Sequence, residues 1–249
     1  KEDETEEKNI SNIKTSYKES KKEGKKIIYQ NGSYYIGEEK EGKRHGKGKL
    51  YDSDGNIRYV GDWVNDLAEG KGTEYDKNGN IIYEGDYFND EREGNGKLIF
   101  PNMDYYIGEF KGGKCHGKGK HYNTKGVLLF EGDFVSRLNG KGIQYYENGN
   151  IQYEGDFVNF RYEGEGTFYY QNGQILYKGQ FKDAKMHGKG MEYNREGKLL
   201  YEGEYVENKR EGNGKAYYEE YYYIGQFKNG KRHGKGIEYY NNGNINYEG

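Results

Sequence analysis

Residues 223–236 read YIGQFKNGKRHGKG, and this stretch decides the fold because variants of it recur down the chain. Its opening triplet, aromatic-x-Gly, returns at Tyr35, Tyr59, Tyr83, Tyr106, Phe130, Tyr153, Tyr177, Tyr201, Tyr223 and Tyr247, in steps of 22 to 24 residues. Each complete unit continues to a Gly-x-Gly, and the first glycine of that pair lies nine residues after the triplet glycine in eight units and eight in the fifth. Nine units of nearly constant length and internal spacing define a repeat architecture.

Within a unit the pattern is that of strands. An aromatic stands four residues after the triplet aromatic in eight units (Trp63, Tyr87, Phe110, Phe134, Phe157, Phe181, Tyr205 and Phe227), with Glu39 in the first. Ring, glycine and ring at i, i+2 and i+4 share one face of a β-strand. A second strand is predicted to start at the Gly-x-Gly and to carry a tyrosine three residues on, as at Tyr51, Tyr145 and Tyr239. Asn-Gly or Asp-Gly turns such as Asn148-Gly149 then lead to the next triplet. Glycine weakens a strand, so these glycines are expected either to leave room for a ring lying flat on the backbone or to form bulges.

Composition agrees. Leu, Ile, Val and Phe make up 41 of 249 residues, while tyrosine alone contributes 30 and glycine 41. The core is therefore aromatic in place of aliphatic. The sequence contains no apolar run of the length a membrane helix needs. One cysteine, Cys115, makes neither an internal disulfide nor a cysteine-based zinc site. A net charge of −3 gives no strong field for nucleic acid.

The pattern resembles the MORN (membrane occupation and recognition nexus) repeat, about Y-x-G-x-[FW]-x-x-G-x-x-x-G-x-G followed by a turn. The extra residue in most units, as in YYENGNIQYEG (145–155), is like the bacterial variety, whereas the YYIG units at Tyr34, Tyr105 and Tyr222 are closer to the eukaryotic form. The resemblance implies an all-β fold: an elongated, single-layer antiparallel meander of repeated hairpins, open, twisted and trough-like. About 18 strands are expected, two per unit, with the trough lined by rings and glycines. It also implies a binding or scaffolding module without chemistry of its own. The chain divides into a charged tail (1–23, read as solvated or as a short capping helix), an N-terminal half repeat (24–34), and an array of nine repeats plus the start of a tenth (35–249).

Candidate sites follow from the rows. His45, His116, His187 and His233 share one position with Glu69, Glu93, Glu163 and Glu211. Equivalent positions of successive hairpins are about 9.6 Å apart, too far for a shared metal ion, so the row is assigned to the hairpin ends, and no metal or cofactor is expected. Gly112-x4-Gly117-Lys118 superficially fits a phosphate loop, but Gly119 stands where Ser or Thr should be and the context is not strand-to-helix. Lys47, Lys71, Lys118, Lys141, Lys189 and Lys235 form a row that could contact phospholipid headgroups. Acids following the triplet glycine (Glu38, Asp62, Asp86, Glu109, Asp133, Asp156 and Glu204) offer these lysines cross-strand partners instead. Cys115 is read as an exposed thiol.

The fifth and sixth hairpin ends break the polar rule. Arg137 and Leu138, then Phe160, Arg161 and Tyr162, have the composition of a partner-binding patch. The alternative is local packing of Phe160. The functional expectation is a non-enzymatic scaffold that presents an aromatic, glycine-lined groove to a protein segment. A phospholipid-contacting tether and a glycan-binding surface that uses the tyrosine rows are the alternatives. Weak homodimerisation through the C-terminal edge strand is a further expectation. The compartment is left open between cytoplasmic and peripheral at a membrane or cell surface.

Overall fold

The structure is a computed structural model that describes residues 24–249. The reading of residues 1–23 as a charged tail falls outside the described residues. From β1 (Lys25–Ile28) and β2 (Tyr34–Lys40) to β19 (Lys231–Tyr240) and β20 (Ile245–Glu248), 20 strands follow one another, each antiparallel to the next. The sheet is open and single. It exceeds the expected 18 strands because the half repeat and the start of the tenth unit each add one. The Gly-x-Gly also lies inside the second strand of each unit, not at its start: β3 runs Lys43–Tyr51 and contains Gly46 and Gly48.

One face is packed. In register, Gly37 faces Gly48 and Gly155 faces Gly166, and the triplet tyrosine of the same unit lies across each pair. A Cβ built on Gly155 would stand 2.5 Å from the Tyr153 hydroxyl oxygen. The ring is held by its hydroxyl, which donates to the carbonyl oxygen three residues on: Tyr83 to Asp86 at 3.0 Å, Tyr106 to Glu109 at 3.0 Å, Tyr153 to Asp156 at 3.1 Å. The i+4 ring then stands edge-on to the tyrosines of its own and the preceding unit, as Phe181 does at 5.1 Å from both Tyr177 and Tyr153. Such T-shaped contacts favour the aromatic quadrupoles. Tyr35, Tyr83, Tyr153, Tyr177 and Tyr201 are fully buried although the sheet is a single layer.

The first glycine of each Gly-x-Gly is a bulge. Between the pairs Gly37–Gly48 and Glu39–Arg44, one residue of β2 faces three of β3, and Gly46 takes φ +61°, where a side chain would be strained. Both expected uses of glycine therefore occur, at different positions. A second kind of bulge accounts for the extra residue of most units. Junctions such as β3 to β4 (Ile57–Val64) shift register at Tyr51. The junctions that lead into the three YYIG units pair without a shift.

Candidate binding surface

The acid and lysine rows lie on the face opposite the buried rings. Lys47 Nζ is 2.5 Å from Asp62, Lys71 Nζ 2.5 Å from Asp86, Lys118 Nζ 2.7 Å from Asp133 and Lys141 Nζ 2.8 Å from Asp156. Lys189 faces Glu204 in register. The acids have a second task. Asp62 accepts the bulged backbone N–H of Lys71 at 3.1 Å, Asp86 that of Asn95 at 2.9 Å, and Glu109 that of Lys118 at 2.9 Å. Gln226 accepts that of Lys235 at 3.3 Å. Five of the carboxylates (Glu38, Asp62, Asp86, Glu109 and Asp156) thus close their own hairpin's bulge, and several also bind the preceding hairpin's ammonium.

The His/Glu row also works at the hairpin ends. Glu93 accepts the N–H of Gly112 at 3.0 Å, Glu163 that of Asp183 at 3.1 Å and Glu211 that of Asn229 at 2.8 Å, joining each turn to its neighbour. Among the described residues, no three His, Cys, Asp or Glu are grouped as a metal site would require.

The fifth unit departs from the others for a stated reason. Phe130 replaces the tyrosine and has no hydroxyl to donate, and its unit's glycine spacing is one residue shorter. The ring is only half-buried and turns towards His121 and Phe160, with centroids 6.1 and 5.3 Å away. Leu138 fills the vacated place over Gly132 and Gly142 and is 0% exposed. The patch expected for a partner is therefore divided. Leu138 is core, Phe160 packs on Phe130 and 6.2 Å from Phe134, and Tyr162 lies stacked on Tyr153 at 4.0 Å. Arg137 and Arg161 are exposed. Their apolar hairpin ends, the fifth of them short, were legible in the sequence; the ring that moved was not.

Cys115 is a correction. It is buried, facing Phe110 in register, because its row points to the packed face, where Ala68, Leu138 and Met186 also stand. Burial pushes its thiol up to about 11. The ring of His121 packs 5.3 Å from Phe100 and its Nε2 lies 3.7 Å from Asp104. Burial holds the imidazole below its ordinary value, against the opposing pull of that carboxylate.

Two features of the surface went unread in the sequence. Tyr87 and Tyr205, the two tyrosines among the i+4 rings, each donate to a glutamate (Glu74 at 3.2 Å, Glu192 at 2.9 Å) that also binds an arginine, Arg92 or Arg210. The coincidence of Tyr and Arg in units three and eight with Glu in the unit before each was the available signal. In the YYIG units the first tyrosine turns to the opposite face and stacks: Tyr34 on Tyr51 at 4.6 Å, Tyr105 on Tyr122 at 4.9 Å, Tyr222 on Tyr239 at 5.1 Å. A lysine ammonium lies over each pair: Lys26, Lys97 or Lys215. These stacks occur where the bulge is missing, since its absence leaves the two tyrosines directly opposite.

Two hollows of the sheet lie on this charged face. One, of about 1420 Å³, runs from Ile107 and Lys118 to Lys178; a second, of about 880 Å³, begins at Glu165 and Lys178 and ends at Ile224. Their walls hold five lysines and five glutamates, and glycine pairs such as Gly190 and Gly203 show their backbone between them. The buried rings expected to line a trough are on the other side.

Among the described residues no helix is long and apolar enough to cross a membrane. Comparison with curated proteins gives no match. The MORN repeat matches residues 35–57, 59–81, 83–104, 106–127, 177–197, 201–220 and 223–245, and the MORN repeat variant matches 138–159 and 162–183. The stretch between 127 and 138, which both leave out, holds Phe130 and the short fifth hairpin end. With seven units and two variant units spanning most of its length, the chain belongs to the MORN-repeat family, a non-catalytic family of repeat modules.

Proposed function

We propose that the chain is a non-enzymatic scaffold that holds an extended segment of another protein along its hollow face. The observation that carries this reading is the continuity of the two hollows, which share Glu165 and Lys178 and together reach from Ile107 to Ile224. Their balanced lysines and glutamates suit a polypeptide of mixed charge better than a polyanion such as nucleic acid or an anionic bilayer. Ile107, Met191 and Ile224, each more than 40% exposed, supply apolar anchor points between the charges. The lysine row supports a lipid-contacting tether less well, because four of its six members already hold an aspartate.

The test is a peptide-display selection on the intact chain, followed by binding measurements on the selected peptides. Met191→Glu and Ile224→Glu should each weaken them at least tenfold, while Ile81→Glu, exposed but outside both hollows, should not. Binders indifferent to the hollow substitutions would overturn the reading.

A further inference from the structure

From residue 111 on, the hairpin ends carry a net positive charge that the turns at the opposite edge do not. Between residues 111 and 233 the six ends (111–116, 135–139, 158–163, 182–187, 206–211 and 228–233) hold eleven Lys and Arg against four Asp and Glu. The turns at the opposite edge of the same stretch (100–104, 123–127, 146–150, 170–174, 194–198, 218–220 and 240–244) hold three against five. Three of these hairpins close on facing lysines: Lys111 with Lys114, Lys182 with Lys185 and Lys228 with Lys231. Like charges directly opposite in a ladder cost stability. The hairpins between them close on a valine facing a cation: Val135 with Arg137, Val158 with Arg161 and Val206 with Lys209. The three valines are 61%, 48% and 45% exposed.

Two of the eleven cations, Arg210 and Arg232, are paired with Glu192 and Glu238, and local acids neutralise little of the other nine. Glu163 and Glu211 are engaged by backbone N–H groups of the next turn. Asp183 and Glu207 lie 3.4 and 3.5 Å from Arg161 and Lys185 in solvent-exposed pairs, which contribute little. A chain of net charge −3 thus gathers cations and exposed valines along one edge, at a cost to its own hairpins.

We propose that this edge is a second docking surface, and that its occupant is an acidic polypeptide segment carrying aliphatic side chains at intervals. The charge calls for an anion, and the valines call for aliphatic contacts between the charges. A planar anionic bilayer fits less well. Adjacent strands turn by about 20–25°, and bulges increase the twist, so an edge crossing six hairpins winds away from any plane. A single-stranded nucleic acid is held by aromatic platforms, and the aromatics of these ends, Phe160 and Tyr162, are turned inward onto Phe130 and Tyr153. The proposal does not depend on what occupies the hollow.

The experiment uses the full chain and four probes: a 20-residue Glu/Leu peptide, its Gln/Leu counterpart, vesicles of phosphatidylcholine with one-fifth phosphatidylserine, and a 20-nucleotide oligo-dT. The acidic peptide should bind in a salt-dependent manner and at least tenfold more tightly than the Gln peptide, the vesicles or the oligonucleotide. Arg137→Glu with Arg161→Glu, and Lys182→Glu with Lys185→Glu, should each weaken it at least tenfold. Val158→Ser, which keeps every charge, should weaken it severalfold. Lys125→Glu with Lys198→Glu, on the opposite edge, should change it less than twofold. Thermal melts of each variant separate lost docking from lost folding, and any early-melting variant is replaced by its Lys→Gln or Arg→Gln version. Equal affinity for the Gln peptide, equal loss in the opposite-edge variant, or preference for vesicles or oligonucleotide would overturn the proposal.

Discussion

A Cβ added to Gly166 would stand 2.5 Å from Cζ of Tyr153, so the ring is seated by the glycine and the glycine is fixed by the ring. The fifth unit provides an internal contrast. At the equivalent Gly142 no tyrosine ring is present, and a Cβ would meet Glu131 O at 3.0 Å and Leu138 Cδ1 at 3.1 Å. Gly166→Ala should therefore destabilise its unit by about 1–3 kcal/mol, the range of overpacking, and Gly142→Ala by clearly less. Stability in a repeat array is a sum of local terms, so amide hydrogen exchange in each unit is the appropriate measurement. Equal effects at the two glycines would remove the ring from the account.

The Arg210–Glu192–Tyr205 cluster gives a second prediction. Arg210 Nη2 and Nε lie 2.7 and 3.1 Å from Glu192 Oε2, the Tyr205 hydroxyl donates to the same oxygen at 2.9 Å, and the guanidinium sits 4.6 Å over Tyr201. Glu192→Gln leaves a half-buried cation without its counter-charge and should cost about 1–2 kcal/mol. Arg210→Met should cost less, because Met186 already occupies the same position facing Phe181 in the preceding unit. The double variant should cost less than the two single changes added together. Strict additivity in urea melts would show that the three groups do not act as one.

How much of this was legible depends on the range of the interaction. The strand face with Tyr153, Gly155 and Phe157 could be read from spacing because it is a property of one strand. The strand count was short by two, since Ile27 and Tyr247 belong to partial units that still pair. The burial of Cys115 was missed because its row alternates Arg44, Ala68, Arg92 and Leu138, a set with no common polarity. In the structure, Arg44 and Arg92 lay their guanidinium planes on Trp63 and Tyr83, 4.0 and 4.9 Å away, so they cover the packed face as Ala68 and Leu138 do. Which face is hollow could not be read, because it follows from a coil accumulated over many bulged junctions. The displacement of Phe130 by Leu138 depends on a missing hydroxyl whose partner is defined only once the hairpin is folded.

Alkaline pH should loosen the array. Burial pushes the Tyr35, Tyr162 and Tyr201 hydroxyls up to about 12 and raises those of Tyr83, Tyr153 and Tyr177 as well. In the unfolded chain these groups ionise near pH 10. Between pH 10 and 12 the unfolded state therefore releases protons that the folded state keeps, and unfolding is favoured as pH rises. The contribution is fully present below pH 10 and is lost as pH passes through the folded values. The thermal midpoint should hold steady from pH 7 to 9 and fall steeply above pH 10, with tyrosinate absorbance at the buried positions appearing only as the sheet opens. A midpoint flat to pH 12 would show that the rings are wetter than the structure has them.

Cys115 offers the most direct check on the packed face. If the hairpin ends were uniformly exposed, its thiol would react with a disulfide reagent at once. In the structure the side chain is buried, facing Phe110, and its thiol is raised to about 11. The thiolate is the reactive form, so at pH 8 about one thiol in a thousand is ionised, against roughly one in four to one in ten for an unperturbed cysteine. The native chain should react about a hundredfold more slowly than the chain in urea, and slower still if access requires local opening. The rate should rise about tenfold per pH unit from 8 to 10, because the thiol is still protonated there. Replacing Phe110 by alanine should open the site from above and restore much of the rate without changing the charge around the sulfur. A native rate equal to that of the unfolded chain would place Cys115 on the surface and, with it, the whole row from Arg44 to Arg232.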